Sequence, residues 1–302
     1  MVSGHEKTAE RQDSVEVLKP VRQTAPVIFS SPHSGRVYPE AFIRQSRQEP
    51  HNLRRSEDAF IDEAFVSAPE FGAPLLRAHF PRAYIDANRR PWELDPVMFS
   101  DPLPDYVTTR SPRISAGLGT VPKIVANGKS IYTGKLCFND ARQRMEDHYF
   151  PYHRILESLI SDTVKNFGGC LLVDCHSMPS SVGDRGPRLA DIIIGDCHGK
   201  SCAREIIQLA ASLFRDFGYS VALNKPYAGG FTTRHYGRPA NRVHAFQIEV
   251  NRALYMDENR IERASGLVEL EKNMRQLINT LTGVDIGAPA SSHHGLHLKA
   301  AE

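Results

Sequence analysis

Leu171-Leu172-Val173-Asp174-Cys175-His176-Ser177 is an apolar run that stops at Asp-Cys-His. A run of this length reads as a buried strand, and its ending puts an imidazole at a strand's carboxyl end, where open α/β sheets hold their ligands. The same shape occurs earlier, where Val27-Ile28-Phe29-Ser30-Ser31 runs into Pro32-His33-Ser34-Gly35. It occurs again where Ala245-Phe246-Gln247-Ile248-Glu249-Val250-Asn251 carries a carboxylate inside an apolar stretch. Two imidazoles, an acidic third ligand and a glutamate base are the components of a mononuclear zinc hydrolase with an open position for water.

Outward from these three runs, apolar segments at 27–30, 83–86, 170–174, 191–194, 219–223 and 244–250 predict strands. Helical periodicity predicts helices over 56–68, 139–167, 200–217 and 258–282, so strands and helices interleave in an α/β chain. Ser56 followed by Glu57-Asp58 predicts a capped helix start, and Gly168-Gly169 a stop. Residues 91–137, rich in Pro, Gly, Ser and Thr, read as a long surface excursion, either pocket-shaping or a plain connection. Residues 1–22 are polar and aperiodic and 287–302 are poor in core-forming types, so both are expected to be flexible ends around a single catalytic domain, 23–286.

The composition narrows the function. Charges nearly cancel, 37 basic against 35 acidic, so no global field favours nucleic acid or an anionic membrane, and a small-molecule substrate fits better. No stretch approaches the roughly 20 apolar residues of a membrane span, and residues 1–13 lack the apolar centre of a signal peptide, which makes the cytoplasm the default address. The five cysteines, at 137, 170, 175, 197 and 202, form no C-x-x-C pair and suggest neither a disulfide framework nor a thiolate zinc site. Cys175 adjoins His176, but strand alternation sends neighbours to opposite faces, against a Cys-His nucleophilic couple.

The third metal ligand is the open point. Asp58 and Asp62 lie one helical turn apart at the start of the predicted helix, and Asp58, nearer the loop edge, is preferred, with Asp62 an outer-shell or alternative ligand. Asp174, two residues before His176, is placed either to orient it by a hydrogen bond or simply to shape the turn. Glu249, inside an apolar strand, needs an ion pair, a metal-bound water or a proton to offset its burial, which suits a general base as well as a structural pair with Arg252. Arg82 and Arg89 bracket the predicted strand at 83–86 with forks that match carboxylates. Tyr227 to Gly237 joins a glycine hinge to Arg234, His235 and Tyr236, as in a mobile substrate loop or an ordinary glycine turn.

Six blocks of the chain resemble one known family. They are Ser-Pro-His-Ser-Gly at 31–35, Glu-Asp-Ala-Phe-Ile-Asp at 57–62, Pro-Arg-Ala-Tyr-Ile-Asp-Ala-Asn-Arg at 81–89, Asp-Cys-His-Ser-Met-Pro at 174–179, Gly-Gly-Phe-Thr-Thr-Arg-His-Tyr-Gly at 229–237 and Gln-Ile-Glu-Val-Asn-Arg-Ala-Leu-Tyr-Met-Asp-Glu at 247–258. In this order they are similar to the N-formylglutamate amidohydrolases, from about Val27 to Asn279. The resemblance implies kinship with zinc carboxypeptidases and acyl-amino-acid deacylases, and so a mixed-sheet α/β/α fold of the phosphorylase/hydrolase-like kind. It implies zinc at His33 and His176. Metallocarboxypeptidases draw two ligands from H-x-x-E, whereas Arg36 holds the acidic place here, which is why Asp58 is recruited. It further implies that Asn88-Arg89 grips a terminal carboxylate, that Arg82 polarises the scissile carbonyl and that Glu249 is the base.

The expected chemistry is therefore zinc-dependent hydrolysis of N-formyl-L-glutamate to formate and L-glutamate, a reaction the resemblance links to histidine degradation. Glu249 takes the proton of the attacking water and returns it to the leaving amine, while Arg89 and Arg234, with Tyr227, hold the acidic substrate. Two other readings are a deacylase of another N-acyl amino acid and a non-catalytic binder of an acidic metabolite. The base aligned with a metal site argues against the binder.

Overall fold

In the computed structural model, which describes residues 14–125, 128–181 and 186–286, the apolar run at 170–178 is a nine-residue strand buried along its whole length. It is the fourth of seven strands: β1 (Val15–Leu18), β2 (Val27–Ser31), β3 (Leu75–Ala78), β4 (Cys170–Met178), β5 (Ile192–Gly195), β6 (Val221–Leu223) and β7 (Val243–Asn251). Their order across the sheet is β1-β3-β2-β4-β7-β5-β6. The central strands β3, β2, β4 and β7 are parallel, while β1 and β5 run antiparallel to β3 and β7, so the sheet is mixed as expected. Among the described residues, no helix is long and apolar enough to cross a membrane.

The helices divide between the two faces. Short helices α1 (Glu40–Gln45), α2 (Pro50–Arg54) and α3 (Ile61–Ala64) follow β2; α4 (Pro112–Ser115) lies in the long excursion; α5 (Phe138–Arg144) and α6 (Phe150–Phe167) precede β4. Then come α7 (Arg204–Asp216), α8 (Phe231–Tyr236) and α9 (Gly266–Thr282), the last preceded by a hairpin of β8 (Met256–Asp257) and β9 (Glu262–Arg263). Alternation along the strands sorts the core: Phe29, Val173, Cys175 and Ile248 face α3, α7 and α9, whereas Ile28, Leu172 and Ala245 face α6. Burying Tyr152, Leu156 and Ile160 of α6 stabilises that second layer by about 1.5–3 kcal/mol per large side chain. Between α5 and α6 the helix widens into a π turn over Met145–Tyr149. It ends at Gly168, whose left-handed φ of 78° closes the last turn by donating to Val164 O, the stop predicted there.

The structure differs from expectation at several elements. Val15–Leu18, assigned to the flexible N-terminal end, pairs with β3, and β3 itself was not foreseen; residues 1–13 and 287–302 lie outside the described residues. Residues 83–86 are a turn rather than a strand, with Tyr84 and Ile85 N both donating to Pro81 O. The helix predicted over 56–68 is reduced to Ile61–Ala64, which starts at Phe60 with a left-handed φ of 65° and has no side-chain cap. The excursion at 91–137 carries its own apolar cluster, in which Leu94, Val121 and Ile131 are packed with Phe42 and Leu53.

Candidate active site

Register puts the chemistry on one row. Ser30, Asp174 and Gln247 are lateral neighbours on β2, β4 and β7, and His176 is opposite Glu249. Since Val173 and Cys175 point to the α9 side, Asp174 and His176 share the other face, at the carboxyl end of the parallel strands. The Cys175 thiol, buried in the opposite layer and pushed up by that burial, is separated from the imidazole as alternation required.

His33 follows β2 in a loop locked to the 58–62 segment. Its carbonyl accepts from Asp58 N at 2.9 Å, and Ser34 Oγ donates to Asp58 O at 3.0 Å. The three side chains then converge: Asp58 Oδ2 lies 2.9 Å from His176 Nδ1 and 3.4 Å from His33 Nδ1, with the ring centroids 4.8 Å apart. Behind each ring stands another carboxylate, Asp86 at 2.7 Å from His33 Nε2 and Asp174 at 2.9 Å from His176 Nε2. A carboxylate that accepts the Nε2 proton leaves the Nδ1 lone pair facing Asp58, which is the arrangement metal-ligating histidines use. His33 Nδ1 is buried and makes no hydrogen bond among the described residues, an atom short of a partner. Two imidazole nitrogens and one carboxylate oxygen, all within 4.8 Å of one another, are a donor set that would suit a divalent cation.

The charges agree with that arrangement. Burial opposes ionisation of Asp58, but the imidazoles of His176 and His33 beside it hold it well below the usual carboxylate range. Burial likewise opposes the His176 imidazolium, yet Asp174 and Asp58 together raise its pKa well above the ordinary histidine value. Asp58 Oδ1 accepts from Arg252 Nη2 at 3.0 Å, and Arg252 Nε donates to Ser177. Arg252 is therefore Asp58's partner rather than Glu249's.

Asp62 stands apart. Because the turn at Phe60 breaks the helix before it, the two aspartates do not share a helix face, and Asp62 Oδ2 turns to Arg77 at 3.3 Å and Arg36 at 3.7 Å.

Above the three converging groups opens a cavity of about 390 Å³, lined among others by Arg82, Arg89, Arg113, Tyr227, Glu249 and Arg252. Glu249 accepts from Gln247 Nε2 at 3.1 Å. Burial and, less strongly, the charge of Asp58 push its pKa up to about 8 against the pull of His176, Arg82 and Arg252. A carboxyl that exchanges its proton near neutral pH is suited to acid-base work. Arg82 Nε donates to Asp86 at 3.1 Å, leaving the rest of its guanidinium beside the cavity. Arg89 is buried and heavily engaged, giving Nε to Leu118 O and Nη1 to Asn88 O with Nη2 3.4 Å from Asp86. Burial lowers its pKa to about 10, so it remains a cation at neutral pH.

Two of the expected substrate groups are placed differently. The Asn88 amide lines the cavity but is committed to the protein, accepting from Thr232 N at 2.8 Å and donating to Asp174 at 3.3 Å. Arg234 is exposed on α8, and the cavity wall there is made by Tyr227, Ala228, Gly229 and Gly230 instead. Sequence reading missed Asp86, Gln247 and Arg113. A carboxylate between Ile85 and Ala87 was a signal for the first; position 247, two before Glu249 on the same strand face, was a signal for the second. Arg113 carried none, because only the folded excursion brings it to the cavity.

The family model described as N-formylglutamate amidohydrolase matches residues 25–256. An N-formylglutamate deformylase of Pseudomonas aeruginosa is 33% identical over 248 residues, covering 80% of this chain and 86% of that protein. One from Pseudomonas putida is 29% identical over 237 residues, covering 77% and 82%. The crystal structure of an N-formylglutamate amidohydrolase from Ralstonia eutropha JMP134 is 32% identical, with a TM-score of 0.85 over 90% of this chain and 98% of that one.

Proposed function

The chain belongs to the N-formylglutamate amidohydrolase family, hydrolases of a linear amide, and from this we propose that it cleaves N-formyl-L-glutamate to formate and L-glutamate using zinc held by His33, Asp58 and His176. The observation that carries the reading is the meeting of three buried ligand atoms, one of them an orphaned nitrogen, at the floor of an arginine-lined cavity. Bound there, the ion supplies a Lewis acid that activates water and polarises the formyl carbonyl.

The remaining work falls to side chains. Glu249 accepts a proton from the water as its oxygen adds to the formyl carbon, then returns that proton to the amide nitrogen as the C–N bond breaks. Arg82 faces the charge that develops on the carbonyl oxygen, and Arg89, fixed by Leu118 and Asn88, offers its remaining N–H groups to the substrate's α-carboxylate. Asp86 and Asp174 keep the two rings in their ligating orientation. Asn88 acts from behind, tying Asp174 to the start of α8.

Metal analysis combined with turnover of N-formyl-, N-acetyl- and N-succinyl-L-glutamate tests the proposal. One zinc per chain, loss of formate release on chelation and recovery with zinc are expected. Chelator-insensitive turnover refutes the metal, and turnover of the larger acyl groups without the formyl one refutes the substrate.

A further inference from the structure

The arginines that line the cavity differ in what already binds them. Arg82 and Arg89 share Asp86, and Arg252 is paired with Asp58. Arg113 lines the same cavity from the excursion, is exposed, and among the described residues has no carboxylate or hydrogen-bond partner for its guanidinium.

Its backbone, by contrast, is firmly held. Ser111 caps α4, accepting from Ile114 N at 3.1 Å and donating to the buried Glu93 carboxylate. Leu118 N donates to Arg113 O at 2.8 Å, and Leu118 O accepts from Arg89 Nε at 2.9 Å, so one residue ties the two cationic positions together. Thr120 fastens the same loop to the segment that carries Asp86, through Asp86 N to Thr120 O and Thr120 N to Glu93 O, both 2.8 Å.

An N-formyl amino acid with an acidic side chain brings two carboxylates into this cavity. One is met by Arg89. The second, desolvated without a cation, would oppose binding. Arg234, the cation expected for it, is on an exposed helix face, Arg82 is taken by the carbonyl oxygen in the reading above, and Arg252 is held by Asp58. Resting on the hydrolase reading above, we propose that Arg113 binds the side-chain carboxylate of the substrate and so selects acidic N-formyl amino acids over uncharged ones of the same shape.

The test compares kcat/KM for N-formyl-L-glutamate and N-formyl-L-glutamine, which differ by one charge, in the zinc-loaded wild type and in Arg113→Gln and Arg113→Lys. The wild type is expected to prefer the glutamate derivative. Arg113→Gln should lower that preference about ten- to a hundredfold, the size of a charge-assisted hydrogen-bonded pair, and should do so through KM. Arg113→Lys should restore part of it, and Arg234→Gln should leave the ratio as in wild type. An unaltered ratio in Arg113→Gln, or equal losses on both substrates, overturns the assignment while the hydrolase reading stands. Wild-type turnover of neither substrate overturns both.

Discussion

Replacing Asp174 with asparagine keeps the shape of a buried side chain and removes its capacity to accept on both sides. In the native protein Oδ1 accepts from Ser30 Oγ at 3.1 Å, while Oδ2 faces His176 Nε2 at 2.9 Å and Asn88 Nδ2 at 3.3 Å. An asparagine offers one acceptor oxygen and one NH2; with its NH2 on the Nε2 side it confronts the His176 and Asn88 donors, and turned the other way it offers His176 only a neutral acceptor while Ser30 reverses to accept. If the oxygen stays with Ser30, His176 loses its orienting partner, a charge-assisted bond of about 1.5–3 kcal/mol, or roughly one to two powers of ten in metal affinity. We expect Asp174→Asn to weaken zinc binding about ten- to a hundredfold in a competition assay with a chelating dye, with thermal unfolding confirming a folded chain. Zinc affinity within about twofold of wild type in that assay would show that Asp174 does not prepare His176 for a metal.

Glu249→Gln should keep its zinc and lose at least about a hundredfold in turnover, measured by formate release; near-normal turnover removes Glu249 from proton transfer. In metal-free protein the raised pKa of His176 marks stability that is fully present below about pH 6.5 and is lost as pH rises through the raised value. Over the same interval zinc affinity should climb by up to about tenfold per pH unit as the competing proton leaves, and flat melting and affinity profiles would refute the titration. Gly230→Ala should destabilise the fold by about 1–3 kcal/mol and lower activity, since an added Cβ would sit 2.3 Å from both terminal atoms of the pinned Asn88 amide. Urea unfolding and formate release together check it, and a wild-type midpoint would mean that the amide has room to move.

What could be read before folding follows from how local each signal is. β2, β4 and β7 were legible because each is a buried, mainly apolar run that ends in or carries a polar residue, whereas the pairing of His176 with Glu249 is set by register between β4 and β7. β1 and β3 escaped because four residues give too little periodicity, and Val15–Leu18 is half-buried at a sheet edge with a glutamate inside it. Residues 83–86 deceived in the other direction: Ala83 and Ile85 are buried and apolar, but Pro81 opens a turn there, and burial does not distinguish a turn from a strand. The convergence of His33, Asp58 and His176 was within reach because strand ends in a parallel sheet gather at one edge. Arg234 lies outside the cavity lining because Gly230 opens a helix, so that the stretch read as a mobile substrate loop or a glycine turn shows one face to the cavity and another to solvent. Arg113 depends on an excursion whose path is set by scattered hydrogen bonds rather than by a period.

The π turn at Met145–Tyr149 acts on angle more than on stability. One residue more than a regular turn rotates everything after it by about 100° around the helix axis. Tyr149, at the end of the turn, donates its hydroxyl to Arg89 O, and the rotated face beyond it carries Tyr152, which meets Ser30, and His153, which contacts Ala87 O. Deleting a single residue there would yield a more ordinary helix aimed at the wrong neighbours. Homologous chains that share this chemistry should therefore vary in length before Phe138 or after Phe167, and keep their residue count between those points.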